Sequence, residues 1–311
     1  MIRKTAVLTL ALALPAGAFE LVLPVDCTLG ETCYIQQYFD HDPGPGAKDF
    51  TCGPLVYDGH DGTDFALPTR AAMEEGVAVL AAAPGTVTRV RDGVADFAPT
   101  VAGKECGNAA VIDHGQGWET QYCHLKNGSV IVRPGDKVQA GTPIGLIGQS
   151  GQAEFPHLHL SVRQNDLKLD PFSLGSSTCG APADDLWAQD PLVEPGGLLG
   201  IGISTAVPGF DAIKAGLPSP DLPTDAPALV IWAYFFGPRA GDTILFALTW
   251  PDGEVWGDQV SLERTQALAF RAYGWKRGTT DWPPGQYSAT ATLIRGGKEI
   301  DKMQIGIKVG P

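Results

Sequence analysis

The chain has 311 residues, a net charge of −13, and is 44% hydrophobic and 18% charged; this is a folded composition with about two domains' worth of core, not a disordered one. The acidic balance argues against nucleic acid or an anionic membrane surface as partner, because both need a basic footprint. Its 39 Gly and 25 Pro favour a loop-rich, all-β protein over a helical bundle.

The N-terminus reads as a secretory signal peptide over residues 1–18. Met1-Ile-Arg-Lys supplies the basic start, Thr5 to Leu14 the short apolar run, and Ala16-Gly17-Ala18 the small residues at the cleavage site. The run is too short to span a bilayer comfortably, so no membrane insertion is expected after cleavage. The six cysteines, at 27, 33, 52, 106, 123 and 179, are an even number suited to an oxidising compartment, and no Cys-x-x-Cys occurs. Cys106–Cys123 is the favoured disulfide. Ala109–Asp113 and Glu119–Cys123 read as strands around a His114–Gly117 turn, which brings the two cysteines near each other.

From Val77 to Val162 short β-branched runs alternate with turn signals: Val77–Ala81, Thr86–Arg91, Val130–Val132, Lys137–Val138 and Ile144–Ile147. Such spacing describes an antiparallel sheet or sandwich rather than βαβ units. Gly93 to Lys104 reads as an inserted loop. After Cys179, cysteine and histidine vanish and Ala181–Gly197 is rich in Pro, Asp and Gly, as a domain boundary would be. The expected division is 19–185, a linker over 186–192, and a second unit over 193–311. In the second unit the expected strands are Leu198–Ser204, Ala228–Phe236, Thr243–Trp250, Glu254–Trp256, Ala267–Tyr273, Tyr287–Arg295 and Lys302–Val309, with a turn or short helix over Val207–Gly216. Their number and spacing suggest an immunoglobulin-like β-sandwich. Five of the seven Trp fall there, at 232, 250, 256, 275 and 282, and are read as core aromatics rather than a carbohydrate-binding stripe.

Four of the six histidines sit in three short motifs. In Gly59-His60-Asp61-Gly62-Thr63-Asp64, a straight strand would hold His60 and Asp64 about 13 Å apart, and an Asp-Gly turn can fold them onto one ion. The second motif is Tyr122-Cys123-His124-Leu125. In Pro156-His157-Leu158-His159-Leu160-Ser161-Val162, strand alternation sends Leu158, Leu160 and Val162 to the core and the two imidazoles to a cleft, about 6–7 Å apart. One of those imidazoles can join His60 and Asp64 on a metal, and the other is free for proton chemistry. Two His, one carboxylate and a water make a catalytic zinc site.

These motifs resemble the zinc metallopeptidases of the lysostaphin and LytM type, from about Tyr57 to Phe172. The resemblance rests on His60-Asp-Gly-Thr-Asp64, Gly107-Asn108, Asp113-His-Gly115, Gln121-Tyr-Cys-His-Leu125, Pro134-Gly-Asp-Lys-Val138, Gly141, Gly145, Gly148, Ser150-Gly151 and Pro156-His-Leu-His-Leu160. The Gly93–Lys104 insertion, the Cys-rich lead-in before Tyr57 and Glu154-Phe155 depart from the pattern without removing a functional residue. The resemblance implies an antiparallel β peptidase domain, related in pattern to lipoyl-type barrels. It also implies one Zn2+ held by His60, Asp64 and His159, with His124 and His157 as the catalytic histidines flanking a zinc-activated water. Which of the two is the base stays open. His114 falls to a structural turn position, Tyr122 to sheet packing, and His41, outside every motif, to a surface loop. The implied substrate is the peptide part of bacterial peptidoglycan, stems or cross-links. Export, disulfides and the absence of a lipidation cysteine at the cleavage site favour a periplasm over secretion.

Three rival readings differ in class. Pro134-Gly-Asp-Lys-Val also resembles biotinyl and lipoyl carriers, but neither Lys126 nor Lys137 has the hairpin-tip setting such carriers need. A non-enzymatic relative that binds wall and activates or regulates other hydrolases would be expected to lack ligands, and all five motif residues are present here. A structural zinc site would be closed by four protein ligands, and no cysteine is placed to be the fourth.

Overall fold

A computed structural model describes residues 18–176 and 178–310. Apart from Ala18, the expected signal peptide lies outside the described residues. Among those described, no helix is long and apolar enough to cross a membrane.

The first part of the chain runs through β1 (Tyr34–Gln37), β2 (Thr63–Ala66), helix α1 (Arg70–Glu75), β3 (Ala78–Leu80), β4 (Gly85–Arg91), β5 (Asn108–Gly115), β6 (Trp118–Leu125), β7 (Lys137–Val138), β8 (Pro143–Leu146), β9 (His157–Gln164) and β10 (Leu167–Leu169). The main sheet has the order β1-β2-β9-β6-β5-β4-β7, with β10 paired to β9, and β3 and β8 form a separate ribbon. All these pairings are antiparallel. The expected alternation in β9 holds: Leu158, Leu160 and Val162 are fully buried.

Several boundaries differ from the expected ones. The β5–β6 hairpin turns on Gln116-Gly117 alone, so His114 lies in a strand, with Nδ1 2.8 Å from the Pro84 carbonyl and Nε2 2.7 Å from Thr120 Oγ1. Val130–Val132 forms no strand. It lacks a ladder partner: the Ile131 N–H bonds to the Ile144 carbonyl singly. Helix α1 has no apolar period long enough to be read; Thr69 caps it by accepting from the Ala72 N–H.

The Cys-rich lead-in is part of the core. Leu21, Val25, Tyr34, Ile35 and Tyr38 are buried in the same cluster as Phe65, Ile112, Leu158 and Leu160. This overturns the surface-loop reading of His41. Its ring is 7% exposed, and Nε2 lies 2.7 Å from Asp170 Oδ2, which is itself buried. The partner is 129 residues away, so no local pattern could announce it. Cys106–Cys123 is bonded as expected, together with Cys27–Cys33 and Cys52–Cys179.

The later residues form β11 (Gly197–Ser204), helix α2 (Phe210–Gly216), β12 (Ala228–Phe236), β13 (Thr243–Thr249), β14 (Val255–Ser261), β15 (Leu268–Lys276), β16 (Gly285–Arg295) and β17 (Lys298–Val309). Sheets β11-β12-β15 and β14-β13-β16-β17 enclose one apolar core, to which Phe235 and Ala269 contribute from one side and Phe246, Leu248 and Tyr287 from the other. This is a second β-sandwich. Trp282 is buried and Trp250, Trp256 and Trp275 are half-buried in a chain of aromatic contacts with centroids 4.3 to 6.0 Å apart, and Trp232 is buried apart from them beside Ile213 and Tyr234.

The two sandwiches are packed together through apolar side chains. Phe236, at the end of β12, belongs to the first core and sits 4.6 Å from Tyr34 of β1, centroid to centroid. Phe236→Ala is therefore expected to cost about 3–5 kcal/mol of stability in urea unfolding. A loss under about 1 kcal/mol would show that the ring does not bear on the joint core.

Candidate metal centre and active-site cleft

Antiparallel register builds the site. Asp64 of β2 stands opposite His159 of β9, and Cys123 of β6 stands on the other side of His159. His60, just before β2, is turned back so that His60, Asp64 and His159 offer ligand atoms all within 4.8 Å of one another. His60 Nε2 lies 3.1 Å from His159 Nδ1 and 3.2 Å from Asp64 Oδ1, and Asp64 Oδ1 lies 2.9 Å from His159 Nδ1.

Gly62 makes this close approach feasible. A Cβ there would lie 2.6 Å from His159 Nε2 and 2.6 Å from the Leu160 carbonyl oxygen. Among ordinary residues only glycine lets the His60–Asp64 turn fold onto β9 without pushing the imidazole away.

The outer nitrogens set the character of the inner ones. His60 Nδ1–H donates to the Tyr38 carbonyl at 2.6 Å, which leaves Nε2 as a lone pair. His159 Nε2 is 3.0 Å from Ser161 Oγ and 3.5 Å from the Asp61 carboxylate, itself paired with Lys168. A carboxylate only accepts, so Nε2 keeps a proton toward Asp61, and Nδ1, which donates to Asp64 Oδ1 at 2.9 Å, offers an inward lone pair once its own proton is displaced. Two imidazole lone pairs and a carboxylate oxygen thus converge in a buried place. With the inner His159 proton displaced, that set is all acceptors and fits a cation, and two His with one carboxylate fit zinc.

The charges agree. Burial alone would raise Asp64, but the neighbouring His60 and His157 rings and the contacts of His159 and His60 hold it well below the ordinary carboxylate value. Burial alone would lower His159, but Asp61 and Asp64 outweigh it and push it up to about 9. With only a proton to share, the cluster binds it tightly, and a metal ion would take that proton's place.

Two further histidines stand beside the group. His157 and His124 have ring centroids 4.6 Å apart, and His157 Nε2 is 3.7 Å from Asp64 Oδ1. His157 Nδ1–H donates to the Phe155 carbonyl and His124 Nδ1–H to the Ser150 carbonyl, each at 2.8 Å, so both keep Nε2 as an acceptor. Burial lowers both; proximity of His157 lowers His124 further, to about 3. His124 has φ +63°, an uncommon backbone state, at the end of β6. Its N–H donates to the Cys106 carbonyl, and the Cys106–Cys123 disulfide ties that segment to β6. Gly107, with φ +59°, lets Ser150 approach: a Cβ there would fall 2.4 Å from the Ser150 carbonyl. Gly107-Asn108 and Ser150-Gly151 are therefore the seat of the His124 ring.

Residues 58–171 match the sequence profile of Peptidase family M23. The chain carries an M23 peptidase domain. Among its relatives is the peptidoglycan DD-endopeptidase ShyA of Vibrio cholerae, 36% identical over 33% of this chain and 20% of that protein. The DD-carboxypeptidase/endopeptidase Mpg of Neisseria meningitidis is 34% identical over 38% of this chain and 23% of that protein. The matched region is thus about a fifth of the length of these relatives. A zinc containing peptidase from Vibrio cholerae of known structure aligns at 28% identity over 46% of this chain and 37% of that chain, with a TM-score of 0.33.

The candidate residues Asp64, His124, His157 and His159 line one cleft with His60 against them, and His114 and His41 lie elsewhere. Sequence reasoning missed the supporting carbonyls of Tyr38, Phe155 and Ser150, because a main-chain oxygen has no side-chain signature. It also missed Tyr57, whose ring is 4.7 Å from that of His60 on the rim of the M23 cleft. Gly62→Ala is expected to weaken metal binding by at least tenfold with a retained β-type circular dichroism spectrum. Unchanged affinity in a metal-competition titration would overturn the role given to that close approach.

Proposed function

We propose that this chain is an exported zinc metalloendopeptidase that hydrolyses peptide cross-links of bacterial peptidoglycan. The single observation that carries the reading is the convergence of acceptor atoms from His60, Asp64 and His159 beside two neutral imidazoles, in an M23 domain. Relatives named as a peptidoglycan DD-endopeptidase and as a DD-carboxypeptidase/endopeptidase support the substrate class. The cysteine pairs and the N-terminal sequence support export to a periplasm.

In this reading His60 Nε2, Asp64 and His159 Nδ1 hold one zinc ion per chain, which supplies Lewis acidity at the scissile carbonyl. The chain's own groups do the rest. His157 and His124 present unprotonated Nε2 atoms to the cleft, so either can take a proton from the attacking water and return it to the leaving amine. Their Nδ1–H bonds to fixed carbonyls hold both rings in the useful tautomer. Once protonated, the same rings stabilise negative charge on the former carbonyl oxygen. Asp61 and Ser161 orient His159 from behind.

Elemental analysis of the purified chain is expected to give about one zinc per molecule, lost in His60→Ala, Asp64→Ala and His159→Ala. Digestion of purified sacculi is expected to release uncross-linked muropeptides, and a chelator should abolish this. Full zinc in all three variants would overturn the ligand set. His157→Ala and His124→Ala should keep zinc yet lose activity by about 10²–10⁴-fold, the usual span for a removed acid–base group. Normal turnover in both would overturn the proton-transfer roles, and an inert, fully zinc-loaded parent chain would overturn the peptidase reading.

A further inference from the structure

The cleft has a wall that the peptidase motifs do not supply. Thr265, Gln266 and Ala267, between β14 and β15 of the second sandwich, line a cavity of about 640 Å³ whose other residues include Gln37, Tyr57 and the site histidines. The turn is tied down on both sides. The Ala267 carbonyl accepts from the Gln36 side-chain amide at 3.0 Å and from the Gly237 N–H at 2.9 Å. The Gln266 N–H donates to the Pro238 carbonyl at 3.1 Å, and Thr265 Oγ1 accepts from the Ala240 N–H at 3.2 Å. The Gln266 side chain stays exposed on the cavity rim.

Across the cavity, Gln37 is paired in register with Asp64. It is 6% exposed, and its Oε1 is buried without a hydrogen-bond partner. Buried acceptors are nearly always met, and Gln37 lines the cavity, so its amide has no side-chain partner among the described residues and can turn to a donor that fills the cavity. The cavity lining contains no Lys or Arg. A second arm of the cleft, of about 330 Å³ beyond His159, carries Arg163 and Lys168 instead. The first arm carries the carboxylates of Asp64 and Glu154 and the amides of Gln37, Gln152 and Gln266, so it offers a free carboxylate no partner and suits a segment with amide groups.

We propose that Gln37 and Gln266 form a two-sided amide clamp on the main chain of a peptide substrate, so that the second sandwich is part of the substrate site. The clamp deepens the peptidase reading, and its test separates the two. A soluble cross-linked muropeptide dimer is titrated calorimetrically into full-chain His157→Ala, and into the same background with Gln37→Ala, Gln266→Ala or Gln266→Trp added. Each alanine is expected to weaken binding by about 3–10-fold, the loss of one neutral hydrogen bond. The tryptophan, which narrows the arm, should weaken it by more than tenfold. Gln266 is exposed, so its variants should keep the parent's unfolding midpoint. Weakened binding supports the clamp whether or not the unsubstituted chain cuts the dimer, and cutting alone decides the peptidase reading. Equal affinity in all four proteins, or no binding to the background at millimolar dimer, overturns the clamp.

Discussion

The register between β2 and β9 is the constraint on which the site depends. Asp64 faces His159 directly across that pair. A one-residue slip would send Asp64 into the core and Phe65 into the cleft, because side chains alternate strictly between faces. Phe65, Leu158 and Leu160, all fully buried, hold the register by the apolar surface they remove from water. The polar group is thus placed by the hydrophobic one behind it. Neighbouring pairs extend the rule: β1 brings Gln37 opposite Asp64, and β6 brings Cys123 beside His159, with His124 one residue on.

What the residues announced and what they concealed divide along physical lines. The His157/His159 alternation is a local pattern and shows in the structure as spacing implies; between His60 and Asp64 the chain bends at Gly62, and the hydrogen-bonded turn lies before it, at Asp58-Gly59. The Cys106–Cys123 pair was legible for the same reason, since the β5–β6 hairpin closes over a short stretch of chain. Long-range partners left no such trace. Nothing near His41 marks Asp170 as its buried neighbour, and nothing near Tyr38 marks its carbonyl as the acceptor for His60. The lead-in stood out by its cysteines, while Tyr34–Gln37 is too short a run to identify as an edge strand. Four expected strands of the second sandwich begin and end within two residues of the observed ones, because β-branched runs between turn residues bound them. β14 extends five residues beyond the expected Glu254–Trp256. Its surface is polar, and only pairing with β13 defines it.

The acceptor-rich centre also bears on how the chain is held together. A buried carboxylate and two inward lone pairs repel one another unless a cation lies among them. Without a metal, His159 takes up that role by holding a proton to about pH 9. Metal binding would release that proton and join β2, β9 and the His60 turn in one set of bonds, so ion affinity and local stability draw on the same free energy.

The second sandwich meets this frame in more than one place, with α2 packed on α1, and the corner that carries the wall is braced from within. Arg295 of β16 makes paired bonds to Asp242 at 2.8 and 2.9 Å, and donates also to the Gly237 and Pro195 carbonyls. The Gly237 N–H in turn holds the Ala267 carbonyl, and the adjacent Phe236 ring is buried against Tyr34. Tyr34 lies in β1, which pairs with β2, the strand of Asp64. The contacts that bury the joint between the sandwiches are therefore the contacts that set the Thr265–Ala267 wall relative to the metal group. A wall carried on a hinged module would lose its alignment with each excursion, and ordering it would draw on binding energy. Here the guanidinium, the aromatic pair and the shared carbonyl order it before any substrate arrives, so the width of that arm of the cleft is a property of the folded core.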